Sequence, residues 1–120
     1  MYDYATAMTS CPTGWHLPDT TAWSVLESAV GGATVAGTML KAKSGWNSSG
    51  NGTDNYGFSA LPGGFYYGTT FGNVGNYGLW WTATPFGNNA YHRDMFNGNA
   101  IVTHSYDGKI YGFSVRCLKN

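Results

Sequence analysis

The chain has 120 residues, a length for about one domain and one modest core. Charged residues are only 10% and the formal net charge is zero, so no basic stripe exists to neutralise phosphates, which excludes nucleic acid as a partner. No run of about 18 apolar residues is present, and membrane insertion by this domain is not expected.

Residues 1–4, Met1-Tyr2-Asp3-Tyr4, lack the basic and apolar regions of a secretory signal, so the chain is read as a domain cut from a longer protein. Residues 2–9 predict a short strand or a helix lead-in. Cys11 and Cys117 stand near the two ends. A bond between them would close a loop of order 100 residues, worth roughly 4–5 kcal/mol in the chain-entropy picture. Two buried free thiols are the alternative; the disulfide, which suits an oxidising exterior, is the reading adopted.

Asp19 follows Pro18 and predicts a helix N-cap. Trp23, Leu26 and Val30 then recur at helical spacing, and Gly31-Gly32 ends the helix. A second, shorter helix is predicted over residues 35–42, with Met39 and Leu40 on its buried side; Gly37 weakens it by about 1 kcal/mol against alanine. Residues 44–53 read as a loop anchored by Trp46. Strands are predicted at 56–61, 64–67, 78–84, 91–97, 100–104 and 111–119, separated by Gly and Asn turns. Helices first and strands after give an α+β order. With aromatics at 17% and 18 glycines, a packed, loop-rich domain spanning 1–120 is expected rather than disorder.

Five segments occur together in order: Cys11 to Pro18 (CPTGWHLP), Trp23-x-x-Leu26, Gly52 to Gly64 (GTDNYGFSALPGG), Val74 to Thr84 (VGNYGLWWTAT) and Tyr111 to Cys117 (YGFSVRC). The chain thereby resembles the Fibrobacter succinogenes major paralogous domain of bacterial surface proteins and lipoproteins. The resemblance implies a C-type-lectin-like fold: two helices packed on short, twisted antiparallel strands, with adjacent termini. The stretch 86–111 also resembles the variable region of proteins diversified by retroelements, which ends in a fixed segment like Gly-Phe-Ser-Val-Arg-Cys. Such proteins occur on bacterial cell surfaces or phage virions, outside the cell.

The candidate ligand-binding residues are therefore Phe86, His92, Asp94, Phe96, Gly98, Ile101, Thr103, Ser105, Tyr106, Asp107, Ile110 and Tyr111. Strand alternation sends Tyr91, Arg93 and Met95 inward and displays His92, Asp94 and Phe96. Asn97-Gly98-Asn99 reads as a turn. His92, Asp94 and Phe96 join Thr103, Ser105, Tyr106 and Tyr111 in one mixed surface. Tyr with Ser, Gly and Asn suits recognition, because Tyr supplies rigid contact area and small polar groups adapt their hydrogen bonds.

Of the tryptophans, Trp15, Trp23 and Trp80 read as core, Trp46 and Trp81 less firmly so. Asp54 reads as a loop carboxylate bonding backbone amides rather than a calcium ligand, because the segment holds one carboxylate. His16, His92 and His104 lack close ligand spacing, and His16 reads as a hydrogen-bonded packing residue. No catalytic residue, metal or cofactor is assigned, and an enzyme is not expected. The expected function is recognition of a protein or glycan ligand on another cell or surface; a structural repeat module of a cell-surface lipoprotein with no ligand of its own is the alternative.

Overall fold

Asp3 and Asp19 each open a helix in the computed structural model, which describes residues 1–120. The Asp3 carboxylate accepts from Thr6 N at 2.8 Å and starts α1 (Tyr4–Thr9); Asp19 accepts from Ala22 N at 2.8 Å and starts α2 (Thr20–Ala29). Each satisfies a backbone donor that the first helical turn leaves free. Gly31 and Gly32, at φ 115° and 104°, turn the chain into α3 (Ala33–Leu40).

The strands are β1 (Trp15–His16), β2 (Phe65–Tyr67), β3 (Thr70–Gly72), β4 (Tyr77–Phe86), β5 (Asn89–Phe96), β6 (Val102–Gly108) and β7 (Leu118–Lys119). They form three antiparallel sheets: β1 with β7, β2 with β3, and β4-β5-β6 with β6 at one edge. The fold is α+β, with three helices where two were expected. Within residues 2–9, Tyr4–Thr9 form α1 while Tyr2 bridges to Phe113; Tyr4 and Ala7 share one short buried face, too brief to show a period in the sequence. The strand predicted at 56–61 is absent. Asp54, Gly57 and Ser59 take positive φ there, which breaks extended backbone, and only Ala60 bridges, to Lys41. Residues 111–119 are not one strand: 112–114 make isolated bridges and only Leu118–Lys119 form β7, while Trp81 N donates to Ser114 O at 3.1 Å and Ser114 N to Leu79 O at 2.9 Å, lining the outer side of β4.

The β4-β5-β6 sheet is covered on both faces. Trp80, Met95 and Val102 pack against Trp23, Val30, Ala36, Leu40 and Trp46 from the α2–α3 side. Leu79, Trp81 and Ala90 pack against Tyr4, Ala7, Leu17 and Phe113 on the other. Each large apolar side chain so removed from water contributes about 1.5–3 kcal/mol. Trp46 and Trp81 are core after all: Trp46 Nε1 donates to Ala60 O at 3.0 Å and Trp81 Nε1 to Tyr2 O at 2.8 Å. Trp15 corrects the reading the other way, lying exposed on the two-residue β1.

Two close approaches fix the β5–β6 turn. Gly37 N donates to Ala100 O at 2.8 Å, and a Cβ on Gly37 would lie 2.7 Å from that oxygen. Glycine is there for the contact, at the expense of helix propensity. Lys41 is buried, and its ammonium donates to the carbonyls of Phe96 and of Asn99 (2.7 Å) while sitting 4.9 Å from the Trp46 ring centre. Burial draws this ammonium below its ordinary pKa, so the two carbonyls matter for holding it charged.

The chain ends meet as expected. Cys11 and Cys117 are bonded, their Cα atoms 5.7 Å apart, beside the β1–β7 pair and the Tyr2–Phe113 bridge.

Candidate functional site: the β6 edge

The candidate face rests on a pinned strand. Arg93, in the middle strand β5, donates from Nε to Glu27 Oε2 at 3.0 Å and from Nη2 to Thr20 O (3.2 Å) and Ser24 Oγ (3.4 Å), all on α2. The second Glu27 oxygen meets His104 Nε2 of β6 at 2.5 Å. One buried carboxylate thus ties both strands to one helix.

On the opposite face His92 Nε2 lies 2.8 Å from Asp107 Oδ2, and Nδ1 lies 3.6 Å from Asp94 Oδ2 without a hydrogen-bond partner. Burial raises the Asp94 carboxyl above its ordinary pKa, against the pull of neighbouring His92. Asp94 is 14% exposed and sits opposite Thr103 on β6.

His92 is a correction. Its ring is 2% exposed and faces Phe113 and Trp81, at 4.9 and 6.3 Å between ring centres. Alternation assigns two faces but not which one is covered, and in this sheet both are. Arg93 and Met95 are buried as predicted, whereas Tyr91 is half-buried. Phe96 is half-buried as well, tilted against Tyr77 at 4.7 Å and lying over Gly98, where a Cβ would collide with its ring.

The predicted single mixed surface divides in two. Tyr106 pairs with Tyr91, while Thr103, Ser105 and Asp107 pair with Asp94, His92 and Ala90. Period two therefore puts Tyr106 on one face and Thr103, Ser105 and Asp107 on the other. They meet only at the free edge of β6. On the Tyr106 side, Phe86, Tyr91 and Tyr106 form an aromatic cluster with ring centres 4.8–6.0 Å apart. Phe86 is 47% and Tyr106 48% exposed.

Gly98 and Ile101, both exposed, lie at the β5–β6 turn. The length of β6, roughly 20 Å at 3.3 Å per residue, separates them from Asp107, exposed Ile110 and Tyr111. Tyr111 stacks on Tyr67 of β2, centres 4.1 Å apart at 18°. Tyr67 and Tyr91 were missed. The first lies outside the 86–111 window, and its signal was the Tyr66-Tyr67-Gly68 aromatic turn; the second was assigned inward by alternation.

Elsewhere, Asp54 binds Ser59 N at 2.7 Å and Ser59 Oγ at 2.5 Å, the loop role expected of it. His16 is exposed and bonds Asn120 at 2.5 Å. Arg116 bridges to Phe58 O (2.7 Å) and Ser59 O (3.2 Å).

A scan against protein families matches the Fibrobacter succinogenes major domain over residues 1–119. The chain belongs to this family. Neither the comparison with curated proteins nor that with solved structures gives a match. In this Fibrobacter succinogenes major domain the segments that carried the resemblance build the frame. Residues 11–18 and 111–117 hold the disulfide and flank β4, and Trp23, Trp80 and Trp81 fill the two cores. Most of residues 86–111, with the free strand edge, lie between the last two segments.

Proposed function

We propose that this Fibrobacter succinogenes major domain is a non-enzymatic recognition domain of C-type-lectin-like architecture. The β6 edge and the Phe86–Tyr91–Tyr106 cluster are its binding face. The ligand is a protein or glycan on another cell or surface, and the domain works outside a bacterial cell or on a phage virion, within a longer protein. The aromatic cluster carries this reading: Phe86 at the end of β4 and Tyr106 on the edge strand β6, both almost half exposed, flank β5, which Arg93 anchors to α2. Exposed apolar clusters on a rigid base mark interaction surfaces. Rigid aromatics beside Thr103, Ser105 and Asp107 are also the mixture that recognition surfaces use. Retroelement diversification fits the displayed positions Thr103, Ser105, Tyr106, Asp107 and Ile110; His92 belongs with the frame.

The test is binding of the labelled domain to a glycan array and to a panel of intact bacterial cells. Phe86→Ala with Tyr106→Ala should reduce binding at least about tenfold, as loss of central aromatic anchors does, with little change in Tm. Unchanged binding with lost stability overturns the assignment. No binding by the unmutated domain to any target favours the structural-module alternative. A near-copy of the coding DNA for 86–111, differing only at adenines and adjoining a reverse-transcriptase gene, tests diversification.

A further inference from the structure

A concave feature is built from segments other than the β6 edge. The start of α2, the Phe58 loop and the C-terminal segment enclose a groove of about 230 Å³, walled by Ala22, Trp23, Leu26, Phe58, Arg116 and Leu118. Its walls are almost wholly apolar. For comparison, an apolar protein cavity of about 150 Å³ takes up benzene. Ala22 leaves the space open, since a larger side chain there would fill it.

Two polar groups in these walls are incompletely partnered. The Trp23 indole Nε1–H is buried and meets no acceptor, which is uncommon for a buried donor. Arg116 uses Nη2 on the carbonyls of Phe58 and Ser59, which leaves its Nε–H and Nη1–H groups without a protein acceptor. Its guanidinium carbon lies 4.3 Å from the Phe58 ring centre, so its plane is held at the groove wall. Burial also draws Arg116 below its ordinary pKa, as for a cation that has lost water. Asp54 is the carboxylate that offsets this, and both its oxygens are engaged by Ser59.

We propose that this groove binds a small apolar monocarboxylate, its ring or chain against Trp23 and Leu26 and its carboxylate on the free edge of Arg116. Guanidinium matches carboxylate geometry with two parallel N–H donors. The body of the ligand supplies the apolar contact that the groove lacks, lying against the Trp23 and Leu26 side chains.

The experiment titrates the domain with 3-phenylpropionate and, separately, with 3-phenylpropanol, followed by NMR of the Trp23 Nε1–H and Arg116 Nε–H signals. The acid should give saturable shifts at both, with Kd on the order of 1 mM for a ligand of this size. The alcohol should bind at least about tenfold more weakly, because a charged hydrogen-bonded pair is lost. Ala22→Phe should abolish binding of both. Arg116→Gln, which keeps a side-chain amide for the carbonyls, should erase the preference for acid over alcohol, and it serves should Ala22→Phe fail to fold. The proposal is overturned by absence of saturation up to about 20 mM, by shifts that avoid Trp23 and Arg116, or by equal affinity for acid and alcohol.

Discussion

Replacing Glu27 by Ala tests how the displayed sheet is anchored. The Glu27 carboxylate is 2% exposed and receives Arg93 Nε at 3.0 Å and His104 Nε2 at 2.5 Å. Its removal leaves the Arg93 guanidinium buried with only Thr20 O and Ser24 Oγ through Nη2. Breaking a buried pair this way costs about 3–5 kcal/mol, because an uncompensated charge stays inside. A domain of this size has about 5–15 kcal/mol in all, so about a fifth or more of its stability should go. At an m-value of about 2 kcal/mol/M, the urea midpoint followed by tryptophan fluorescence should fall by roughly 2 M. The double variant Glu27→Leu with Arg93→Met should recover to within about 1–2 kcal/mol of the parent, because both charges leave together. A loss below about 1 kcal/mol for Glu27→Ala, or a double variant as unstable as the sum of the singles, would refute the anchoring role.

Asp94→Asn should stabilise the domain at pH 7. Folding raises the Asp94 pKa through burial, so its contribution is most favourable when protonated and is lost as pH rises through the folded value. The gain in Tm over the parent should vanish below about pH 4, near the unfolded carboxylate value; a gain that persists there refutes the cause. Reduction of Cys11–Cys117 frees a loop spanning a sequence separation of 106 residues. Unfolding with and without dithiothreitol should therefore differ by about 4.7 kcal/mol, and a difference under about 1 kcal/mol means the chain ends hold without it. Gly37→Ala should destabilise by about 1–3 kcal/mol through its clash with Ala100 O, opposite in sign to the helix-propensity gain; denaturant midpoints decide between the signs.

Much of the frame was legible because its signals are local. Asp19 capping Ala22, the Trp23-Leu26-Val30 face and the Gly31-Gly32 stop all act within a few residues. The candidate site was less so. Phe86 and Tyr106 are displayed as read, and Thr103, Ser105 and Asp107 share a face, but Tyr106 lies opposite them and His92 lies inside. Side-chain alternation assigns residues to two faces; it carries no information on what packs over each. Phe113, which covers His92, comes 21 positions later in the chain (92 to 113), and the helix covering Arg93 precedes all three strands of this sheet.

By itself, then, the sequence determined the family, the α+β class and the closing cysteine pair, since each follows from residue type, spacing or an ordered set of segments. Only the tertiary structure decided that Trp81 is core and Trp15 is surface, that Gly37 and Lys41 hold the β5–β6 turn, and that one buried carboxylate joins α2 to two strands. Those outcomes depend on which distant segments fill the space above a given face. Burial is a property of that shared space, and neighbours along the chain do not specify it.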